Sequence, residues 1–303
     1  MQSDALLDAP CGAPAVPATE SWLRPFSPAP NDGRRLGTGA AQHGLSPHAP
    51  RGRDHAGRHR SRRIVKALLL DLDDTLLDYS GGVDQSWTEA CSACCASAGI
   101  DPAVLVTAIA DTRRWFWDDP ERQRRERLNM LGAWQHIVEF ALEGLGQTTT
   151  GLAAAVARDY AARRKERMRL FPEALDCLTD FRRRGVPLAL VTNGDAVQQR
   201  DKIERHGLAR FFDAILIEGE FGVGKPHEAV YRRALQALGA VPTEAWMVGD
   251  HLEWDVDAPQ QLGLRGVWMD RGGRGLPPDS AVRPHWIIHS LDELTTPRGE
   301  SAA

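Results

Sequence analysis

The chain has 303 residues, 42% hydrophobic and 26% charged, which is enough for a buried core in one large domain or two modest ones. Its formal net charge of -4 provides no basic field of the kind that draws a protein onto nucleic acid, and no run of about 18 apolar residues offers a membrane span. The five cysteines, Cys11, Cys91, Cys94, Cys95 and Cys177, are odd in number and unevenly placed, which speaks against a disulfide framework and for a reducing compartment.

Residues 1–63 are rich in Ala, Pro, Gly, Arg and Ser without a sustained hydrophobic period, and are expected to be a disordered tail. Its nine arginines against five acids are dispersed and not interleaved with aromatics, the pattern of a solvated segment. The opening residues carry Asp4 and Asp8 where a signal peptide would be basic, so a cytoplasmic location is expected.

At Ile64 the pattern changes. The apolar run from Ile64 to Leu70 ends in Asp71, as a buried parallel strand would, and similar runs recur at 187–191, 214–217, 245–248, 265–269 and 286–288. Helical stretches lie between them at 173–184, 196–206, 229–238 and 256–262, the last three each followed by a glycine. Alternating strands and helices predict an α/β fold, a Rossmann-like doubly wound parallel sheet. The core is expected to comprise 64–79 and 170–296.

Between them, 80–169 contains no convincing strand, and helices are expected at 86–98, 103–117, 128–142 and 152–169. This all-helical insert follows the first strand, so it is placed to fold as a cap over the carboxyl edge of the sheet, where ligands of open α/β sheets bind. Cys91, Cys94 and Cys95 fall within it and read as ordinary helical residues, because no second Cys/His pair completes a zinc site.

Four polar signals fall at carboxyl ends of predicted strands or in the loop after one: Asp71-Leu72-Asp73-Asp74-Thr75, Thr192-Asn193, Lys225-Pro226, and Gly249-Asp250 with Asp255 following. In a parallel sheet those ends share one edge. In this order and placement the motifs resemble those of the haloacid dehalogenase-like superfamily, whose phosphatases carry Asp-x-Asp-x-Thr, a Ser/Thr, a Lys and a Gly-Asp with a further Asp. The resemblance spans roughly 64–294. The helical insert and the Gly249–Val256 stretch look most like the branch containing phosphoglycolate and N-acylneuraminate-9-phosphate phosphatases.

The resemblance implies a Mg2+-dependent phosphatase acting on a small phosphorylated metabolite, and the residue chemistry agrees. Phosphoryl transfer needs a nucleophile, neutralisation of the phosphoryl oxygens and a proton donor for the leaving group. A carboxylate such as Asp71 can form an aspartyl-phosphate, and Asp73 is placed to act as general acid and base. Asp71 and Asp250 supply hard oxygens for magnesium, and the resemblance adds the backbone carbonyl of Asp73. Lys225 is a counter-charge, Asp255 supports it or a metal-bound water, and Thr192 and the Asn193 amide donate to phosphoryl oxygens. Asp74 and Asp78 are expected in turn or capping roles.

Two decoys are set aside. Gly219 to Lys225 nearly spells a nucleotide-binding loop, but Pro226 supplies neither the hydroxyl nor the backbone N–H that such a loop requires. The Gly-rich run at Arg271–Gly275 reads as a flexible loop. In the insert, Arg113, Arg114, Trp115 and Trp117 are candidates for substrate specificity, although such residues are commonly core or solvated face. A dehalogenase or phosphomutase of the same fold, or a binding protein that kept the fold, remains an alternative; Asp73 favours phosphate chemistry over dehalogenation. The enzyme is expected to work as a monomer or homodimer, without nucleic acid or membrane partners.

Overall fold

In the computed structural model, residues 65–147 and 150–295 are described; the expected tail lies outside the described residues. Ala67–Leu70 form β1, four apolar residues buried on both faces. The period-2 alternation of a strand sends Leu68 and Leu70 into one hydrophobic cluster and Ala67 and Leu69 into another. A short strand β2, Leu77–Asp78, follows.

The chain then enters the helical insert. Helix α1 spans Val83–Cys94, α2 Pro102–Asp118, α3 Pro120–Glu126, α4 Met130–Gly144 and α5 Leu152–Arg167. Asp101 caps α2 by accepting from the Ala103 N–H at 2.8 Å, with Pro102 in the first turn, where its missing N–H costs nothing. The same device repeats at Asp119 and Pro120, which ends α2 and starts α3, a helix that is not among those expected from the sequence. The insert has its own hydrophobic cluster, including Trp87, Ile109, Phe116, Trp134, Ile137, Val156 and Tyr160. Cys91 is buried there with its thiol pushed up to about 12 by burial, as suits a structural residue.

The insert ends in β3, Arg169–Leu170, which pairs antiparallel with β2. The expectation of no strand within 80–169 is corrected at this one position. The pairing holds the two ends of the insert side by side, and the buried Arg164 reinforces it by donating to the Gly81 carbonyl at 2.6 Å and to that of Tyr79.

The rest of the chain alternates. Helix α6 is Ala174–Arg183, β4 Leu188–Thr192, α7 Ala196–Arg205, β5 Ala214–Ile217 and the single turn α8 Glu218–Phe221. Helix α9 is Glu228–Leu238, β6 Ala245–Gly249, α10 Ala258–Gln261, β7 Arg265–Met269 and β8 Trp286–Ile288. The six strands of the main sheet run parallel in the order β5-β4-β1-β6-β7-β8. The helix expected at 256–262 is instead a wide π-helical turn, Leu252–Asp257, running into α10.

One face of the sheet packs on Leu178 and Phe181 of α6, the other on Val230, Tyr231 and Ala234 of α9. Strand β1 lies between β4 and β6, so connections leave it in both directions and a crevice opens at its carboxyl end.

Candidate active site

Three strand ends meet at this crevice: Asp71 follows β1, Thr192 ends β4, and Asp250 follows β6. Lys225 enters from the loop before α9. Its ammonium, 1% exposed as a residue, lies 2.6 Å from Asp71 Oδ1 and 2.7 Å from Asp255 Oδ1. Carboxylate oxygens of Asp71, Asp250 and Asp255 all fall within 4.8 Å of one another.

Local structure sets each of these side chains. The wide turn at Leu252–Asp257 places Asp255 so that its Oδ2 accepts the His251 N–H at 3.0 Å while Oδ1 takes Lys225. Such turns cost regular hydrogen bonding and occur frequently at functional sites. The Asn193 side chain clamps the Lys225 backbone: Nδ2 donates to the Lys225 carbonyl at 2.7 Å and Oδ1 accepts its N–H at 2.7 Å. Asp74 sits at φ 57° and accepts from the Tyr79 and Ser80 N–H groups, a turn role; Asp78 accepts from Gly81 N. Arg271 is committed to the carbonyls of Asp74 and Thr75 and to Glu173, so the run expected to be a flexible loop begins with a residue that braces the Asp71 loop.

Asp73 stands apart from the three-carboxylate cluster. Its oxygens take Lys202 Nζ at 2.9 and 2.7 Å and Gln199 Nε2 at 3.1 Å, and Gln199 also donates to Thr192 Oγ1 at 2.6 Å. Neither Gln199 nor Lys202 was singled out from sequence. Their signal was available: both lie on α7, three residues apart and hence on one face, directly after the Thr192 strand end. Glu218 and Arg127 were also missed. They form a two-pronged ion pair at 2.7 and 2.5 Å between the insert and the core, and Glu218 further accepts the Gly194 N–H at 3.0 Å.

The electrostatics of the cluster are unbalanced. Burial pushes Asp71 up to about 7; Lys225 pulls it down and Asp255 pushes it up further. Burial, then the charges of Asp71 and Asp255, pushes Asp250 up to about 8. Burial disfavours the Lys225 ammonium, yet Asp255 and Asp71 outweigh it and hold its pKa above the usual value. One lysine therefore faces three carboxylates, and among the described residues no side chain donates to the carboxylate of Asp250, whose backbone carbonyl takes the Trp268 Nε1–H at 2.8 Å. That surplus of hard, negative oxygen suits a small divalent cation.

A cavity of about 370 Å³ extends from this cluster to the insert. Of the four specificity candidates, the structure brings Arg113 and Trp117 to its lining and leaves Arg114 and Trp115 out. Positions 113 and 117 are one helical turn apart on α2, whereas 114 and 115 are rotated off that face. Arg114 pairs with Asp111 in solvent, and Trp115 is half exposed beneath the Arg122 guanidinium, 4.0 Å from its ring centre. Both are corrected from cavity to surface.

Among the described residues no helix is long and apolar enough to cross a membrane. Residues 65–263 match the haloacid dehalogenase-like hydrolase family, and the chain belongs to it. A phosphoserine phosphatase from Thermus thermophilus is 36% identical over 251 residues, covering 76% of this chain and 98% of that protein. An N-acylneuraminate-9-phosphatase from Rattus norvegicus is 27% identical over 249 residues, covering 76% and 92%. Among solved structures, the magnesium-bound hydrolase YfnB from Bacillus subtilis has a TM-score of 0.57 at 22% identity, covering 76% of this chain and 96% of its own, a likeness of fold.

Proposed function

We propose that the protein is a magnesium-dependent phosphatase that hydrolyses a small phosphorylated metabolite through an aspartyl-phosphate on Asp71. The observation that carries this reading is the buried Lys225 bridging Asp71 and Asp255, with Asp250 beside them at the end of β1. The names of both relatives, a phosphoserine phosphatase and an N-acylneuraminate-9-phosphatase, point to the same reaction type on different substrates. The retained Asp73 favours it over dehalogenation.

In this reading an Asp71 oxygen attacks phosphorus as the ester oxygen leaves, and Asp73 protonates that oxygen. Asp73 then takes a proton from the water that attacks phosphorus and frees Asp71. Lys202, 2.7 Å from Asp73 Oδ2, holds that carboxylate in place. Lys225, Thr192 and the Asn193 N–H hold the phosphoryl oxygens, and Asp255 positions Lys225. Asp71, Asp250 and the Asp73 carbonyl would hold magnesium, which when bound supplies positive charge against the phosphoryl oxygens. Residues 64–79 and 170–296 form the catalytic core, and 80–169 acts as a cap that excludes water and contacts the leaving group.

The test is release of inorganic phosphate from p-nitrophenyl phosphate, present with magnesium and abolished by chelation. Asp71→Asn is expected to lower kcat by about a thousandfold or more with the fold intact. Asp73→Asn should be nearly inactive on alkyl esters yet still take up phosphate from a donor with a good leaving group. Wild-type turnover by Asp71→Asn would overturn the mechanism.

A further inference from the structure

Resting on the phosphatase reading, we infer that the leaving group is a neutral cyclic polyol, as in a sugar or cyclitol phosphate, and not an amino or carboxylic acid. The inference comes from what the cavity offers beyond the phosphate end. At about 370 Å³ it lies at the lower end of the roughly 300–1,000 Å³ of ligand pockets.

Each of the four Arg and Lys side chains lining it already has a carboxylate partner. Arg113 is 2.8 Å from Asp84, Arg127 is doubly paired to Glu218, Lys202 holds Asp73, and Lys225 holds Asp71 and Asp255. A leaving group carrying a carboxylate would have to break a buried pair, which is costly, go unpaired, or draw on Arg113 alone, whose partner Asp84 stands in solvent. The two deepest cations hold the proposed nucleophile and acid, so they are not free to serve it.

The part of the lining that the insert supplies is largely aromatic. Trp87, Trp117, Trp134, Tyr160 and Ile137 belong to it; Tyr160 stacks on Trp87 at 3.7 Å and meets Trp134 edge-on at 5.0 Å. Indole and phenol faces give large, rigid apolar area with little loss of side-chain freedom, which suits the C–H face of a ring. The Gln123 and Gln198 amides line the same space and make no side-chain hydrogen bond among the described residues. Each amide offers one acceptor and two donors, the complement of neutral hydroxyls. An apolar face with hydroxyls at its edge and no net charge is the chemistry of a ring polyol.

The experiment measures kcat/KM of the full chain with magnesium on matched esters: glucose 6-phosphate, ribose 5-phosphate and inositol 1-phosphate, against O-phospho-L-serine, phosphoglycolate and glycerol 1-phosphate. At least one ring ester is expected to exceed all three acyclic esters by about tenfold or more, the low end of what one good apolar contact contributes to selectivity. Trp117→Leu should shrink that advantage over glycerol 1-phosphate about tenfold. Gln123→Ala, a half-buried position with little risk to folding, should shrink it in the same direction and carries the test if Trp117→Leu fails to fold. Equal or better turnover of phosphoserine, phosphoglycolate or glycerol 1-phosphate, with p-nitrophenyl phosphate hydrolysed, would overturn this inference alone. So would an undiminished ring preference in the folded variants. No hydrolysis of any ester would overturn the phosphatase reading, and this inference with it.

Discussion

A methyl carbon at Gly249 would stand 2.2 Å from the carboxyl carbon of Asp255, so only glycine leaves room for that carboxylate to reach Lys225. Gly249→Ala must therefore displace Asp255 or the strand end itself. Overpacking of this kind costs about 1–3 kcal/mol. The variant is expected to lower Tm and to lose magnesium-dependent turnover together, because Lys225 would no longer be held between two carboxylates; wild-type values for both would show that Asp255 can move without consequence. The Gly249-Asp250 pair could be picked out from the sequence as a strand end. What the glycine accommodates could not, because its neighbour is six residues on and reaches it only through the wide turn at Leu252–Asp257.

Between elements, a deeply placed ion pair ties the insert to the core. Arg127, at the carboxyl end of α3, spans to Glu218 at the start of α8, and both side chains are nearly buried, at 11% and 8% exposure. Glu218 in turn holds the Gly194 N–H just past the Thr192-Asn193 signal, so the contact couples the insert to the phosphate end of the site. Removing one partner of a buried pair leaves the other charge uncompensated. Arg127→Met is accordingly expected to destabilise the protein by about 3–5 kcal/mol, with Glu218→Gln in the same chain recovering part of the loss. Urea unfolding of the single and double variants measures this; a change under about 1 kcal/mol would mean that solvent replaces the pair at little cost. Nothing local marks Arg127 in the sequence, where it is one of six arginines from Arg113 to Arg127 that precede an apolar helix, and its partner lies 91 positions away.

For the molecule as a whole, residues 1–63 carry no sustained hydrophobic period with which to join the clusters on the two faces of the sheet or inside the insert. A chain starting at Arg62 is therefore expected to keep both its Tm and its phosphatase activity. Thermal melting and p-nitrophenyl phosphate hydrolysis, compared with the full chain, check it, and a large loss in either would assign residues 1–61 a structural role.

The sequence by itself determined the architecture and the chemistry available at the sheet edge. A buried parallel strand must be an apolar run, a helix end must be capped, and a ligand edge must collect the polar residues that follow the strands. These are local rules, and β1, β4, β5, β6, β7, β8 and the Asp71, Thr192, Lys225 and Asp250 positions obey them. Tertiary structure alone decided the partners. That Asp73 would face Lys202 and Gln199, that Arg113 and Trp117 would line the cavity while Arg114 and Trp115 turned to solvent, and that all its cations would already be paired depend on distances between residues far apart in the chain. Such distances are set by the packing of helices on the sheet and of insert on core, and no spacing in the sequence encodes them.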